Sequence, residues 1–235
     1  MKLAGIIGGL GPESTIEYYR LIIAAWRERK NDGSYPAMII NSIDLTRMRL
    51  LIEANALAGL TAYLVEEVKR LDRAGADFAA ISANTPHVVF DEIRRRSPIP
   101  LISIVEATCE DARSRGLKRV GLFGTRFTMQ GRFYPDVFER AGLTLFVPTA
   151  DEQAWIHNKY MDELVPGDFR PDTREQMLNI ADRLIERHRI EGLILGGTEL
   201  PLILRDPVYH GIPLLDTTKI HVNRIVAELL RDSPV

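Results

Sequence analysis

Ile190-Glu191-Gly192-Leu193-Ile194-Leu195-Gly196-Gly197-Thr198-Glu199-Leu200-Pro201 is the stretch from which the fold is read. An apolar run, Leu193-Ile194-Leu195, meets two glycines, then Thr198, then a segment able to start a helix. That order is the grammar of a buried parallel strand whose following helix aims backbone N–H groups at the strand tip. The same grammar occurs earlier, where Phe78-Ala79-Ala80-Ile81 runs into Ser82-Ala83-Asn84-Thr85-Pro86-His87. An offset of 114 residues pairs Arg73 with Arg187, Asp77 with Glu191, Ala83 with Gly197 and Asn84 with Thr198. A second match, Leu3-Ala4-Gly5-Ile6-Ile7-Gly8 on Arg119-Val120-Gly121-Leu122-Phe123-Gly124, needs an offset of 116. Two independent offsets that nearly agree point to a duplicated chain.

Working outward, apolar runs at 3–8, 37–42, 78–81, 101–104, 119–123, 143–147, 192–195 and 213–215 read as strands. Between them, three- and four-residue apolar spacing predicts helices over 13–30, 52–74, 88–96, 107–115, 133–141, 152–164, 172–189, 200–204 and 219–230. The strands are continuous apolar runs rather than alternating ones, which is the pattern of parallel sheet covered on both faces. The expected fold class is therefore α/β, with two similar domains of parallel sheet related by a pseudo-two-fold and a cleft between them. The expected boundaries are 1–102 plus 213–235 for the first domain and 103–212 for the second. Open parallel sheets bind ligands outside the carboxyl ends of their strands. The loops 83–85 and 197–199 are thus expected to approach one ligand from opposite sides.

Composition narrows the function classes. Lys and Arg number 30 against 32 Asp and Glu, a net charge of −2, so no global field favours nucleic acid or an acidic membrane. No apolar run approaches the roughly 18–20 residues that span a bilayer. Met1-Lys2 leads directly into a strand-like run rather than a secretory signal, which makes the cytoplasm the expected location. The single cysteine, Cys109, excludes an intrachain disulfide and a cysteine-rich metal site, and reads as a small buried helix residue. Gly9-Leu10-Gly11-Pro12-Glu13-Ser14 imitates part of a dinucleotide fingerprint. Serine replaces the third glycine, and Asp44 lies farther on than the ~20 residues such a site uses, so a tight strand-to-helix turn is the better reading.

At these positions the sequence resembles the cofactor-independent aspartate/glutamate racemases, and the likeness spans nearly the whole chain. Residues 8–15, Gly-Gly-Leu-Gly-Pro-Glu-Ser-Thr, look like the N-terminal signature of that family. Ala83-Asn84-Thr85-Pro86-His87 resembles its Cys-Asn-Thr-x-His motif, and Gly196-Gly197-Thr198-Glu199 its Gly-Cys-Thr-Glu motif. Residues 124–129, Gly-Thr-Arg-Phe-Thr-Met, add a further likeness. The resemblance implies two flavodoxin-like domains, a homodimer, a small amino acid or dicarboxylate as ligand, and α-proton chemistry with neither PLP nor metal. It also implies two catalytic thiols, one per half. Both of those positions are replaced here, by Ala83 and Gly197.

The family inference therefore divides. The donor set remains: Gly9, Asn84, Thr85, Thr125 and Thr198, with the backbone N–H groups after each strand, can receive a carboxylate. Arg47 is a candidate carboxylate clamp, because a guanidinium grips a carboxylate bidentately. The proton-transfer set is missing as the family builds it. Candidate substitutes are Ser82, Glu199 and His87, with Asp44 also near a strand end. A hydroxyl is a poor base without an activating partner, whereas Glu199 and His87 titrate usefully. The lost side chains also leave volume that a water or a larger substrate could take. Three functions remain open: racemase- or epimerase-like chemistry, carboxylate binding without turnover, and a lyase or hydrolase variant.

Overall fold

Each apolar run becomes a parallel-paired strand in the computed structural model, which describes residues 2–231. The chain forms two units, Met1–Ile104 with His221–Val235, and Val105–Ile220. The first contains β1 (Ala4–Gly8), α1 (Pro12–Arg29), β2 (Met38–Ser42), α2 (Leu45–Glu53), α3 (Leu57–Arg73), β3 (Phe78–Ile81), α4 (Phe90–Arg96) and β4 (Leu101–Ile102). Its sheet runs β2-β1-β3-β4, all parallel. The inner strands β1 and β3 are buried along their whole length, whereas β2, at the edge, is half-buried and reaches solvent at Ser42.

The second unit follows with α5 (Ile104–Ser114), β5 (Arg119–Gly124), α6 (Arg126–Gln130), α7 (Phe133–Arg140), β6 (Thr144–Phe146), α8 (Ala150–Lys159), α9 (Pro171–His188), β7 (Gly192–Gly196), α10 (Leu200–Ile203), β8 (Val208–Tyr209) and β9 (Ile212–Asp216). Its sheet runs β6-β5-β7-β9-β8. The last helix, α11 (Thr217–Leu229), begins in this unit and returns the chain to the first. There Val222, Ile225, Val226 and Leu229 join Tyr18, Ile22, Trp26 and Phe78 in one core.

The duplication is visible in the strand orders, since β1, β2, β3 and β4 take the places of β5, β6, β7 and β9. Its matched glycines have matched reasons. A Cβ on Gly5 would stand 3.0 Å from Leu71 of α3, and one on Gly121 would stand 2.7 Å from Leu184 of α9. In both units a helix packs so closely on its strand that a side chain there would have to push a leucine aside.

Several elements differ from the sequence pattern. The helix expected over 52–74 is two helices, because Asn55 takes a left-handed φ of 50° and breaks the run whose apolar spacing continues through it. The helix expected over 88–96 starts as a 3₁₀ turn, Thr85–Val89, before α4. That expected over 152–164 is α8 followed by one π turn, Tyr160–Leu164. An antiparallel edge strand, β8, was not anticipated; it is too short to carry a period. Residues 213–220 lie with the second unit rather than the first, because β9 pairs with β7, and residues 103–104 lie with the first.

Candidate functional site

The first strand-end loop is fixed from beneath by its own backbone. Ser82 is fully buried, and its hydroxyl donates to the Ile7 carbonyl at 2.9 Å while its carbonyl accepts from Ser14 Oγ at 3.3 Å. Ala83 and Asn84 are buried behind it and Thr85 is partly exposed. His87 closes the loop. Its Nδ1 faces the Ala83 carbonyl at 3.0 Å and its Nε2 lies 3.3 Å from the Ile104 N–H. A carbonyl only accepts and an N–H only donates, so Nδ1 carries the proton and Nε2 receives one. The ring also stacks on Phe90, centroids 4.6 Å apart. Burial, then the neighbouring His221, pushes this imidazole down to about 3.

His221, on α11, is built the same way. Its Nε2 lies 3.2 Å from the Ile102 carbonyl, so Nδ1 accepts from the Tyr18 hydroxyl at 2.8 Å. Burial pushes it down to about 4. Both rings are neutral cross-links with each nitrogen committed. His87 is therefore held as a loop clamp rather than a poised base.

The remaining candidates of this unit are spread along the strand ends. Gly9 has φ 78°, and a Cβ there would stand 2.3 Å from the Ile43 carbonyl oxygen, so the glycine pattern serves a tight turn. Its N–H donates to Thr15 Oγ1 at 2.8 Å. Asp44 caps α2 by accepting from the Thr46 N–H at 2.8 Å. Arg47 is exposed, with its guanidinium 4.3 Å from the centre of the Tyr63 ring, and forms no ion pair among the described residues.

In the second unit, Thr125 caps α6, its Oγ1 accepting from the Thr128 N–H at 3.4 Å. At the end of β7 stands a group that sequence reading missed. A Cβ on Gly197 would lie 2.5 Å from Cε2, 2.6 Å from the hydroxyl and 2.8 Å from Cζ of Tyr160. The volume expected to be vacant beside Gly197 is filled by that ring. The Tyr160 hydroxyl donates to Glu199 Oε2, and Thr198 Oγ1 donates to the same oxygen at 3.0 Å. Tyr160, Thr198 and Glu199 are all at most 5% exposed. Burial raises the Glu199 carboxyl above the usual carboxylate range, against the hydrogen bonds from Tyr160 and Thr198. Burial, then the facing Glu199 charge, raises the Tyr160 phenol. The only sequence signal for Tyr160 was the demand that something large cover a glycine at a strand end. The π turn that delivers it left no mark in the apolar spacing.

Cys109 is buried on α5, and burial pushes its thiol up. Among the described residues no cluster of three or more His, Cys, Asp or Glu is placed to hold a metal, and no helix is long and apolar enough to cross a membrane.

Comparison with known proteins agrees with this architecture. The sequence profile described as Asp/Glu/Hydantoin racemase matches residues 7–225. A broad-specificity amino-acid racemase of Bacillus subtilis (strain 168) is 26% identical over 231 residues, covering 92% of this chain and 93% of the relative. The crystal structure of an aspartate racemase homologue from Pyrococcus horikoshii OT3 is 37% identical with a TM-score of 0.81, covering 97% of this chain and 99% of that one. The glutamate racemase of Aquifex pyrophilus, at 17% identity, shares the fold with a TM-score of 0.62 over 98% of this chain and 84% of its own.

Proposed function

The chain belongs to the Asp/Glu/Hydantoin racemase family, and from that premise we propose that it binds a small amino acid or dicarboxylate at its strand-end loops and carries out α-proton chemistry on it without thiols. The observation that carries this reading is the end of β7, where a buried phenol, hydrogen-bonded to the Glu199 carboxylate, occupies the space of a residue-197 side chain. Donors for a ligand carboxylate come from the loops holding Gly9, Asn84, Thr85, Thr125 and Thr198, with Arg47 as the exposed cation. If the positions 83 and 197 are the family's thiol positions, two-thiol racemisation is closed to this chain: one side chain is a methyl group and the other a hydrogen atom. Cytoplasmic location and a homodimer belong to the same reading; light scattering tests the dimer.

Titration calorimetry with both enantiomers of aspartate and glutamate, and with succinate, tests the binding. Proton NMR of the amino acids in deuterated water tests the chemistry, because removal of the α-proton replaces it with deuterium. Saturable binding with loss of the α-proton signal is the expected outcome, and absence of binding to every probe refutes the reading. A second reading, binding without turnover, is favoured by the first loop, where Ser82 and His87 have their hydrogen-bonding groups committed and Ala83 offers none. It predicts binding with no exchange.

A further inference from the structure

Among the buried titratable groups of this molecule, Tyr160 and Glu199 differ from the rest. His87 and His221 tie backbone to backbone or to a tyrosine, with each nitrogen committed. Glu163 is paired with Lys159 and Arg170 and accepts a hydrogen bond from Thr173. Glu199 is buried with no cation bonded to it among the described residues, facing instead a phenol and a hydroxyl that both donate to one oxygen. Leaving a carboxylate so deep without a counter-charge is costly, and such groups concentrate at working sites. This one lies at the carboxyl end of β7, where open parallel sheets take their ligands.

The position is specific as well as buried. The Tyr160 hydroxyl stands 2.6 Å from where a Cβ on Gly197 would be, so the phenol oxygen occupies the start of the path a residue-197 side chain would follow. Glycine at 197 is what lets it do so, since any side chain would collide with the ring. Tyr160 is brought there by the π turn 160–164, a local widening of the helix found often at functional sites.

From this geometry we infer that Tyr160 is the catalytic acid–base of the proposed α-proton chemistry, with Glu199 as its proton reservoir. The inference rests on the reading given under Proposed function. In the forward step the substrate Cα–H bond breaks and its proton goes to the Tyr160 oxygen. The phenol proton passes along the existing hydrogen bond to the Glu199 carboxylate. The electron pair of the broken bond moves into the substrate carboxylate as an enediolate, held by donors at the strand end. Reversal returns a proton to Cα from the same side. With a single acid–base group acting on one side of Cα, the α-proton is exchanged with retention of configuration rather than inverted.

The test uses the full-length protein with L- and D-aspartate and L- and D-glutamate in deuterated water. Proton NMR follows exchange, chiral chromatography follows inversion, and calorimetry follows binding. Exchange of one enantiomer, much faster than any inversion, is expected. Tyr160→Phe keeps the ring over Gly197 and removes only the hydroxyl. It should lower exchange on the order of 100-fold or more, as loss of a general acid–base does, with affinity changed by less than about threefold. Glu199→Gln keeps the hydrogen-bond geometry and should slow exchange and remove the acid limb of its pH profile. Binding without exchange in the unmodified protein overturns the inference and leaves the binding reading in place. So does full exchange in Tyr160→Phe, or inversion keeping pace with exchange. Failure of all four amino acids to bind overturns both.

Discussion

Lowering the pH from 7.5 to 5 should weaken the first unit by an amount set by two buried rings. An imidazole free in an unfolded chain titrates near 6.5. In the folded unit, burial holds His87 down to about 3 and His221 to about 4, with His221 and Arg94 adding repulsion at His87. The unfolded state therefore binds more protons throughout the interval between these values. The stabilisation is complete above pH 6.5 and is lost as pH falls through the interval, at about 1.4 kcal/mol per pH unit for each ring. Between pH 7.5 and pH 5 each ring accounts for roughly 2 kcal/mol, and the two for roughly 4. Against the roughly 5–15 kcal/mol typical of folded proteins this is a large fraction. Glu152, held down to about 2 against its burial by Arg187 and Arg183, titrates below the window and does not mimic the effect. Urea unfolding at a series of pH values measures the slope. His221→Gln keeps a donor and an acceptor but does not titrate, so it should remove about half of the pH dependence. Imidazole resonances of His87 and His221, assigned by their loss in single variants, should not move until well below pH 5. Titration of either near 6.5 in the folded protein refutes the reasoning.

Other outcomes follow from contacts at the strand ends. Gly197→Ala should cost about 1–3 kcal/mol by overpacking against Tyr160, read as a lower unfolding midpoint, and an unchanged midpoint would mean the ring moves freely. Gly9→Ala meets the Ile43 backbone at 2.3 Å and a φ of 78°, so about 1–2 kcal/mol of left-handed strain adds to the overlap. Asp44→Ala should cost about 1 kcal/mol, through loss of the α2 cap, with the fold of the unit unchanged by circular dichroism. Arg47→Ala should leave thermal stability nearly unaltered, because the side chain is exposed, and weaken aspartate binding by about tenfold, equivalent to one charge-assisted hydrogen bond.

The comparison of expectation with structure is informative residue by residue. Gly5 and Gly121 announced the duplication because a helix packs closely on both strands, and close approaches of that kind leave a mark on residue type. The apolar runs of β1, β3 and β7 were legible because strands buried on both faces need no polar positions. Asn55 was not read as a break, because the apolar spacing on either side of it stays in phase while only its backbone departs. Nothing in the sequence ties His221 to Tyr18, 203 residues away.

What the sequence determined by itself is the inventory: a repeated α/β pattern, donors after the strands, and a methyl group and a hydrogen atom at positions 83 and 197. Those are local facts, fixed by periodicity and residue type. What only the tertiary structure decided is which groups stand over those positions. Placing a thiol at 197 looks simple on paper, yet a ring from 37 residues upstream already fills the place. A glycine records that something comes close and not what comes; that is settled by packing between elements that never touch in the linear chain.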